Sequence, residues 1–301
     1  MTSEDGLPPL RSVVAAHGLS PRKRLGQNFI FDLNLTRRIA REAAIAGAIV
    51  YEVGPGPGGL TRALLSEGAA RVIAVERDRR AVPALKEIAA AKPGRLEIVE
   101  ADALIADEPA LLTEHGARLP VPVVANLPFN AGTALLVKWL SVSWPPWWRS
   151  LTLMFQKEVA DRVCAKVGDS AYGRLSVLAQ WRANPRILFE VSAKSFVPPP
   201  NVTSAVLSID PLPAARFAAE LSDLESVTAA AFGQRRKMLR GSLKKLAGDA
   251  EEILCVAGIA GTARPEELDI AQFCALARAY GERKRGSREK ISPLPGAPGA
   301  R

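Results

Sequence analysis

The sequence predicts an α/β protein, with a Rossmann-like, mainly parallel sheet carrying helices on both faces, followed by a small all-helical C-terminal domain. Two observations predict this fold. Residues 48–125 alternate short apolar runs with helical patterns, which is typical of βαβ units. Residues 214–281 are Ala-rich and helical in pattern, beyond a break at residues 210–213. We therefore expect a catalytic domain at 20–210, a helical domain at 214–281, and flexible tails at 1–19 and 282–301.

The single elements follow from local patterns. Asp32 precedes an amphipathic run to Ala46 and is a plausible helix N-cap. A second helix is expected at Leu60–Leu65. Apolar runs bounded by turn residues predict seven strands. These strands are Ile49–Val53, Arg71–Val75, Leu96–Val99, Val121–Ala125, Ser150–Phe155, Asn184–Val191 and Val202–Ile209.

The overall composition limits the kinds of partner, metal site and cellular location that we expect for this protein. The formal charge is +9, from 40 Lys and Arg against 31 Asp and Glu, which favours a polyanionic partner. Cys164, Cys255 and Cys274 form no C-x-x-C pair, which fits a reducing cytoplasm with the thiols as core residues. His17 and His115 are the only histidines and lie far apart, so we expect no metal site. No apolar stretch reaches membrane-spanning length, and we expect no membrane partner.

A glycine-rich turn, Gly54-Pro55-Gly56-Pro57-Gly58-Gly59, follows the first strand and precedes a helix. Backbone N–H groups at such a turn can approach a ligand closely, as in nucleotide-binding proteins. No Gly-Lys-Ser/Thr follows, so the turn is not a P-loop. Pro55 and Pro57 lack the N–H donors that a phosphate would need. The turn therefore favours a ligand without phosphates.

Two acids end the next strands. Glu76 stands 22 residues after Gly54 at the end of the second strand, where an acid accepts hydrogen bonds from ribose hydroxyls. Asp102 follows the third strand and can meet an adenine amino group. A ligand with ribose and adenine but no phosphate fits S-adenosylmethionine better than NAD.

The tetrapeptide Asn126-Leu127-Pro128-Phe129 follows a buried strand and is the most informative stretch of the chain. The Asn126 side-chain oxygen and the next carbonyl can accept hydrogen bonds from an exocyclic amine. Pro128 keeps the turn rigid, and Phe129 offers a face on which a base can stack. Turns of this composition also occur in purely structural roles. Taken with the upstream motifs, the tetrapeptide predicts a pocket that presents an adenine amine to a methyl donor.

From about Pro21 to Tyr280, the chain resembles the rRNA adenine N6-dimethyltransferases that act near the 3′ end of small-subunit rRNA. The matching stretches, in family order, are residues 24–29, 52–56, 126–129, 156–159, 172–176, 196–206 and 232–237. The family usually has Tyr where this chain has Phe129. Stacking survives that difference, but any role of the hydroxyl is lost.

The resemblance implies an enzyme that uses S-adenosylmethionine to convert two adjacent adenines to N6,N6-dimethyladenines. Its partner would be small-subunit rRNA in an immature small ribosomal subunit. Apart from the resemblance, the cysteine usage predicts a cytoplasmic protein, and we expect a monomer because nothing in the sequence suggests an obligate dimer. The resemblance assigns cofactor binding to Asn28, Ile30, Gly54, Glu76, Asp102 and Asn126. It assigns catalysis to Asn126, Leu127, Pro128 and Phe129. For Ile30, ordinary core packing remains an alternative.

The target adenine must leave its stack to enter such a pocket. Phe129 is the expected stacking partner, and Phe196, just before a run of three prolines, is a candidate second wall. Ordinary packing is the alternative for Phe196. The tryptophans at 139, 144, 147 and 148 are best explained as core and loop packing. Tyr172 is either structural or an RNA-edge contact.

Two basic clusters are candidates for RNA contact. The first is Arg22, Lys23 and Arg24. The second comprises Arg235, Arg236, Lys237, Arg240 and Lys244, with Lys245 beside them and no acid between them. In a continuous helix, Arg236, Arg240 and Lys244 would share one face, a stripe suited to RNA phosphates. A solvated surface is the alternative.

Three other functions stay open. A large-subunit rRNA methyltransferase of the antibiotic-resistance type would share the cofactor motifs, although residues 198–202 and 234–237 favour the small-subunit type. A DNA adenine methyltransferase would typically carry Pro in place of Leu127. A ribosome-assembly or transcription factor could keep the fold without catalysis, and the intact Glu76, Asp102 and Asn126 argue against that loss.

Overall fold

The computed structural model describes residues 5–22 and 26–289, and internal contacts divide the chain into two compact units. Unit 1 comprises Met1–Cys164 and Arg182–Ala214, and unit 2 comprises Ala165–Trp181 and Ala215–Arg301. The second unit thus receives a segment from the middle of the chain. The sequence predicts a helical domain that begins only at residue 214. The segment 165–181 is absent from that prediction because its composition does not differ from that of the neighbouring residues.

The described residues form nine strands and thirteen α-helices. The strands are β1 (Phe29–Ile30), β2 (Ile49–Val53), β3 (Arg71–Glu76), β4 (Leu96–Glu100), β5 (Val121–Asn126), β6 (Trp148–Gln156), β7 (Ala183–Val191), β8 (Phe196–Val197) and β9 (Ser204–Pro211). The helices are α1 (Leu10–Ala16), α2 (Leu33–Glu42), α3 (Gly59–Ser66), α4 (Val82–Ala91), α5 (Glu108–Glu114), α6 (Gly132–Leu140), α7 (Lys157–Cys164), α8 (Arg174–Arg182), α9 (Leu221–Phe232), α10 (Leu239–Ser242), α11 (Lys244–Ala247), α12 (Ala250–Val256) and α13 (Ile270–Glu289).

Seven strands form the main sheet in the order β4-β3-β2-β5-β6-β9-β7. The first five are parallel, and β9 runs antiparallel to both β6 and β7. The predicted Rossmann-like α/β fold is confirmed. The strand order reverses between β2 and β5, and ligands of open α/β sheets bind outside the carboxyl ends of the strands at such a point. Gly54 follows β2 there, and Asn126 ends β5.

The helix predicted after Asp32 forms, and its cap is as expected. Asp32 Oδ1 accepts hydrogen bonds from the N–H groups of Asn34 (2.9 Å) and Leu35 (3.3 Å). The helix ends at Glu42 and not at Ala46, because Ala44 adopts a left-handed backbone conformation, with φ at 49°. Its apolar face, which includes Ile39, packs into the core of unit 1.

Residues 5–19 differ from the expected flexible tail. They contain α1, and Leu7, Leu10 and Leu19 are buried. Asp5 accepts two hydrogen bonds from the guanidinium of the buried Arg62, at 2.5 and 2.7 Å. The apolar residues of this segment are spaced to cover one face of a short helix. A pattern this short is too weak to predict a helix from the sequence. At the other end, α13 continues to Glu289, and residues 290–301 lie outside the described residues.

The tryptophans pack as predicted. Trp139 and Trp148 are fully buried, and Trp147 is 7% exposed. The Trp147 ring meets Tyr51 and Trp139 edge to face, with centroids 5.6 and 6.3 Å apart. In unit 2, Tyr172 is 1% exposed and donates its hydroxyl to the Leu268 carbonyl at 3.0 Å, so its role is structural. None of the helices in the described part of the chain is long and apolar enough to cross a membrane.

Candidate active site at the carboxyl ends of the strands

A cavity of about 550 Å³ lies within unit 1 at the carboxyl ends of β2, β3, β4 and β5. The residues predicted for cofactor binding and catalysis come from separate stretches of the chain, and all of them line this cavity. They are Asn28, Ile30, Gly54, Glu76, Asp102, Asn126, Leu127, Pro128 and Phe129. Because parallel strands present their carboxyl ends at one edge of the sheet, residues far apart in sequence converge there.

The glycine-rich turn closes tightly on the strand ends. Gly54 has φ at 69° and donates its N–H to the Val75 carbonyl at 2.9 Å. Gly56 has φ at 55°, and the Phe29 ring would lie 3.3 Å from any Cβ there. Gly58 is the N-cap of α3, with φ at 88°, and a Cβ there would come within 2.2 Å of Ile88. A side chain at any of these three positions would strain the turn, because each glycine has a positive φ.

Glu76 is 5% exposed, and its carboxylate is held by the backbone. Oε2 accepts the N–H of Gly56 at 2.9 Å, and Oε1 accepts the N–H of Asp78 at 2.7 Å. Burial raises the pKa of Glu76 above its usual value, and these two N–H groups partly offset that rise. Each oxygen keeps a second lone pair for a ribose hydroxyl.

Asp102 follows β4 and is only partly buried. Its Oδ1 accepts the N–H of Leu104 at 3.0 Å, and its Oδ2 lies 3.1 Å from Nη1 of Arg77. The Arg77 side chain is 65% exposed, so this ion pair is weak and can rearrange. A ligand amine at Asp102 would share the carboxylate with Arg77 or displace it.

Asn126 is oriented by a backbone carbonyl. Its Nδ2 donates to the carbonyl oxygen of Asn28 at 3.4 Å, and among the described residues none donates to its Oδ1. The side chain of Leu127 is 2% exposed, so this residue can act at the cavity only through its backbone. The Pro128 carbonyl accepts the N–H groups of Ala131 and Gly132, which leads the chain into α6. The tetrapeptide thus turns sharply with the Asn126 amide fixed from one side.

The two aromatic residues predicted to stack on the target base have different environments. Phe129 is partly exposed and lines the cavity. Phe196 is 2% exposed and belongs to the hydrophobic core of unit 1. The two ring centroids lie 6.4 Å apart, with planes inclined at 61°. The expectation that Phe196 forms a second wall for the base is therefore corrected, because its ring supports Phe129 edge-on instead of facing the cavity.

The segment 26–30 closes one side of the cavity. Gly26 has φ at 64°, and a Cβ there would lie 2.7 Å from Asn130 Oδ1 and 3.1 Å from the backbone nitrogen of Phe129. Ile30 pairs with Phe196 between β1 and β8. Ile30 both lines the cavity and belongs to the core, so the two interpretations of this residue are compatible.

Two polar residues that line the cavity were not singled out in the sequence. Glu52 is 1% exposed, its Oε2 accepts the Thr61 hydroxyl at 2.7 Å, and burial raises its pKa to about 8. A carboxyl at a buried position of an apolar strand was the available signal. Gln27 lines the cavity through the same segment as Asn28, and its side chain contacts the loop after β3.

The basic residues of unit 2 do not form the expected helical stripe. The chain turns at 233–237, Met238 is extended, and α10 and α11 are separate helices of four residues each. Gly233 and Gly241 weaken helix formation there. Arg235 donates to the carbonyls of Ser170 (2.6 Å) and Asp169 (3.1 Å), so its guanidinium is used inside unit 2. The remaining predicted RNA contacts of this cluster are exposed, namely Arg236, Lys237, Arg240 and Lys244.

In the other basic cluster, Arg22 lines the cavity, whereas Lys23 and Arg24 lie outside the described residues.

Comparison with known proteins agrees with this geometry. The sequence model of a family described as "Ribosomal RNA adenine dimethylase" matches residues 18–282. A curated relative from Cereibacter sphaeroides, named "Ribosomal RNA small subunit methyltransferase A", is 58% identical over 279 residues, which cover 92% of this chain and 99% of the relative. A relative of the same name from Azorhizobium caulinodans is 59% identical over 292 residues, covering 95% and 97%.

Solved structures show the same fold. A dimethyladenosine transferase from Plasmodium falciparum is 23% identical, with a TM-score of 0.69 over 85% of this chain and 98% of that chain. The 23S rRNA methyltransferase ErmE is 25% identical, with a TM-score of 0.62 over 84% and 100%. The resemblance found in the sequence motifs is confirmed, and the chain belongs to the ribosomal RNA adenine dimethylase family.

Proposed function

We propose that this protein transfers methyl groups from S-adenosylmethionine to N6 of two adjacent adenines near the 3′ end of small-subunit rRNA, forming N6,N6-dimethyladenines during maturation of the small ribosomal subunit. Its family makes it an S-adenosylmethionine-dependent rRNA methyltransferase. The names of its relatives at 58–59% identity support the small subunit as the substrate.

One observation carries the catalytic part of this proposal. Asn126 is tethered through Nδ2 to the Asn28 carbonyl, which leaves Oδ1 available as an acceptor beside Phe129. An acceptor fixed in this way can receive one N–H of an adenine amine. The lone pair of that amine nitrogen must then point in a direction other than toward Asn126. The same cavity is lined by Glu76 and Asp102. A base and a nucleoside cofactor can therefore meet within it.

The cavity has the chemistry that the cofactor requires. Glu76 keeps acceptor capacity for ribose hydroxyls, and Asp102 can accept from an adenine amino group. Pro55 and Pro57 offer no N–H, and the Gly56 N–H is already bound to Glu76, so the turn has little to offer a phosphate. Asn28, Ile30 and Gly54 complete the cofactor set that we propose. When bound, the cofactor supplies a methyl group on a sulfonium, which needs neither acid nor metal to leave.

The residues of the tetrapeptide then have distinct roles. Asn126 Oδ1 and the Leu127 carbonyl accept the amine N–H groups, favour a tetrahedral nitrogen, and stabilise the positive charge that grows on it. Pro128 fixes the turn, and Phe129 stacks on the unstacked base. At the second transfer the nitrogen already carries one methyl group, so only one N–H remains and the amine must rotate within the pocket.

For RNA binding, we propose the exposed residues Arg236, Lys237, Arg240 and Lys244 in unit 2, together with Arg22, Lys23 and Arg24. Phosphate contacts of this kind position the RNA without reading its sequence. The partner that we propose is an immature small ribosomal subunit in the cytoplasm, bound by a monomer of this chain.

The test is transfer of labelled methyl groups from S-adenosylmethionine to small ribosomal subunits that lack the modification, with large subunits and DNA as controls. We expect N6,N6-dimethyladenosine after nucleoside digestion, from small subunits alone. Label on large subunits would favour the antibiotic-resistance type of enzyme. Binding to particles without any transfer would favour an assembly factor.

A further inference from the structure

Gln27 connects two parts of the cavity wall that are far apart in the sequence, namely its own segment and the loop after β3. Its Nε2 donates to Asp78 Oδ2 at 3.0 Å, and its Oε1 accepts the backbone N–H of Arg22 at 3.1 Å. Asp78 lies in the loop after β3, and its own N–H is bound to Glu76 Oε1 at 2.7 Å. Both ends of the Gln27 amide are therefore used, one on its own segment and one on the ribose-side loop.

The anchor on Asp78 is firm. The Asp78 side chain is 9% exposed and is also bound by Arg80, at 2.6 Å from Nη2 and 2.9 Å from Nε. Burial alone would raise the pKa of Asp78, but the hydrogen bonds from Arg80 and Gln27 outweigh it and hold the pKa below its usual value. Asp78 is consequently ionised at neutral pH. A hydrogen bond from an amide to a carboxylate is stronger than one between neutral groups.

On its other side, the segment that Gln27 anchors meets the tetrapeptide. The next residue, Asn28, supplies the carbonyl that holds Asn126 Nδ2. The preceding residue, Gly26, packs so closely on Phe129 and Asn130 that a Cβ would fall within 3.1 Å of both. A shift of this segment would therefore move the group that orients the Asn126 amide. Three hydrogen bonds, together with the peptide bond between Gln27 and Asn28, thus connect Glu76 through Asp78 to Asn126.

We infer that Gln27 is a positioning residue for methyl transfer: its bond to Asp78 seats the segment 26–30 so that the Asn28 carbonyl accepts from Asn126 Nδ2, which leaves Asn126 Oδ1 directed toward the target amine. This inference rests on the proposed function of the cavity. It assigns Gln27 no contact with the base or the cofactor. The effect of Gln27 is exerted through Asn126, and it should therefore fall mainly on kcat.

The first test replaces Gln27 by Ala. We expect kcat to fall roughly ten- to hundred-fold, because small misplacements of a reacting group have effects of this size, while KM for S-adenosylmethionine changes much less. Gln180→Ala is the matched control. Gln180 is also half-buried and donates through Nε2 to a carbonyl, that of Ala165, at 2.8 Å, but it lies in unit 2. The control should keep kcat near that of the wild type.

The second test uses a variant of matched size and guards against one that folds poorly. Gln27→Glu places a carboxylate against Asp78 and should lower kcat as Gln27→Ala does. Gln27→Met keeps the length of the side chain but donates no hydrogen bond to Asp78, and we expect the same loss of kcat. A kcat near that of the wild type in Gln27→Met, a loss confined to KM, or no loss in Gln27→Ala and Gln27→Glu would overturn the inference.

A third readout needs no RNA. Hydrogen exchange of the backbone amides at 26–31 should be faster in Gln27→Ala than in wild type or Gln180→Ala. Unchanged exchange there would overturn the inference. Because kcat ratios can be measured on whichever RNA the wild type methylates, a wrong substrate would leave this test intact and would count against the proposed function alone.

Discussion

The cavity of unit 1 and the basic segment of unit 2 were both predicted from short sequence patterns. The structure brings the cavity residues together as predicted, but it does not place the basic residues on one helix. Every residue predicted for cofactor binding and catalysis lines one cavity. The basic residues, in contrast, do not share a helix face, and Arg235 is bound to carbonyls of its own unit. The difference has a physical origin. Parallel strands fix where their ends lie, whereas a run of charges specifies no backbone conformation.

The largest effect is expected at Asn126. Replacing Asn126 by Ala removes the acceptor for the amine, and we expect kcat to fall by roughly 10²–10³, the range for loss of one preorganised polar group in an active site. The measurement is the rate of dimethyladenosine formation. Asn34→Ala, at an exposed position of α2, is the control and should leave the rate unchanged. A comparable rate in Asn126→Ala would remove the tetrapeptide from the mechanism.

A smaller effect is expected at Glu76. In Glu76→Gln, the amide can no longer accept from both Gly56 and Asp78, since one of its ends is a donor. We expect the Kd for S-adenosylhomocysteine to rise roughly ten- to hundred-fold, from one unpaired buried group. Calorimetric titration without RNA measures this directly. An unchanged Kd would show that the cofactor ribose lies elsewhere.

Glu52 makes the stability of unit 1 depend on pH. The pKa of its carboxyl is raised from 4.5 to about 8 by burial. The folded protein therefore keeps a proton that the unfolded chain loses, and stability should fall as pH rises from about 4.5 to about 8. In Glu52→Gln this dependence is absent, and the variant should gain on the order of a few kcal/mol relative to wild type between pH 5 and pH 8. Thermal unfolding across this range measures the difference. A constant difference between the two proteins would contradict the raised pKa.

The smallest effects are expected at the basic residues of unit 2. Arg235→Ala should lower the free energy of unfolding by about 0.5–1.5 kcal/mol, because two exposed carbonyls lose a donor and bond to water instead. Lys237→Ala should leave stability unchanged and reduce the salt dependence of RNA binding by roughly one phosphate contact. Chemical unfolding and binding at several salt concentrations separate these outcomes. If Arg235→Ala changed RNA binding alone, the original interpretation of Arg235 would be restored.

The sequence could predict the positions of residues at strand ends better than those of residues outside any regular pattern. The glycine-rich turn, the two acids and the tetrapeptide all end or follow strands, so their convergence could be predicted once the sheet was recognised. Contacts made by residues that belong to no regular sequence pattern could not be predicted. Gln27 carries no periodic signal, and the burial of Phe196 depends on a two-residue pairing of β1 with β8. The helix α1 was missed because its seven residues give too short a pattern.

A crystal structure of this protein with S-adenosylhomocysteine would directly test whether cofactor and target base meet in the cavity of unit 1. We expect the ribose hydroxyls to contact Glu76, the adenine amine to contact Asp102, and the sulfur to face Asn126 across the cavity. A ligand bound in the reverse direction, with its adenine on the tetrapeptide, would rule out the roles proposed for Glu76, Asp102 and Asn126.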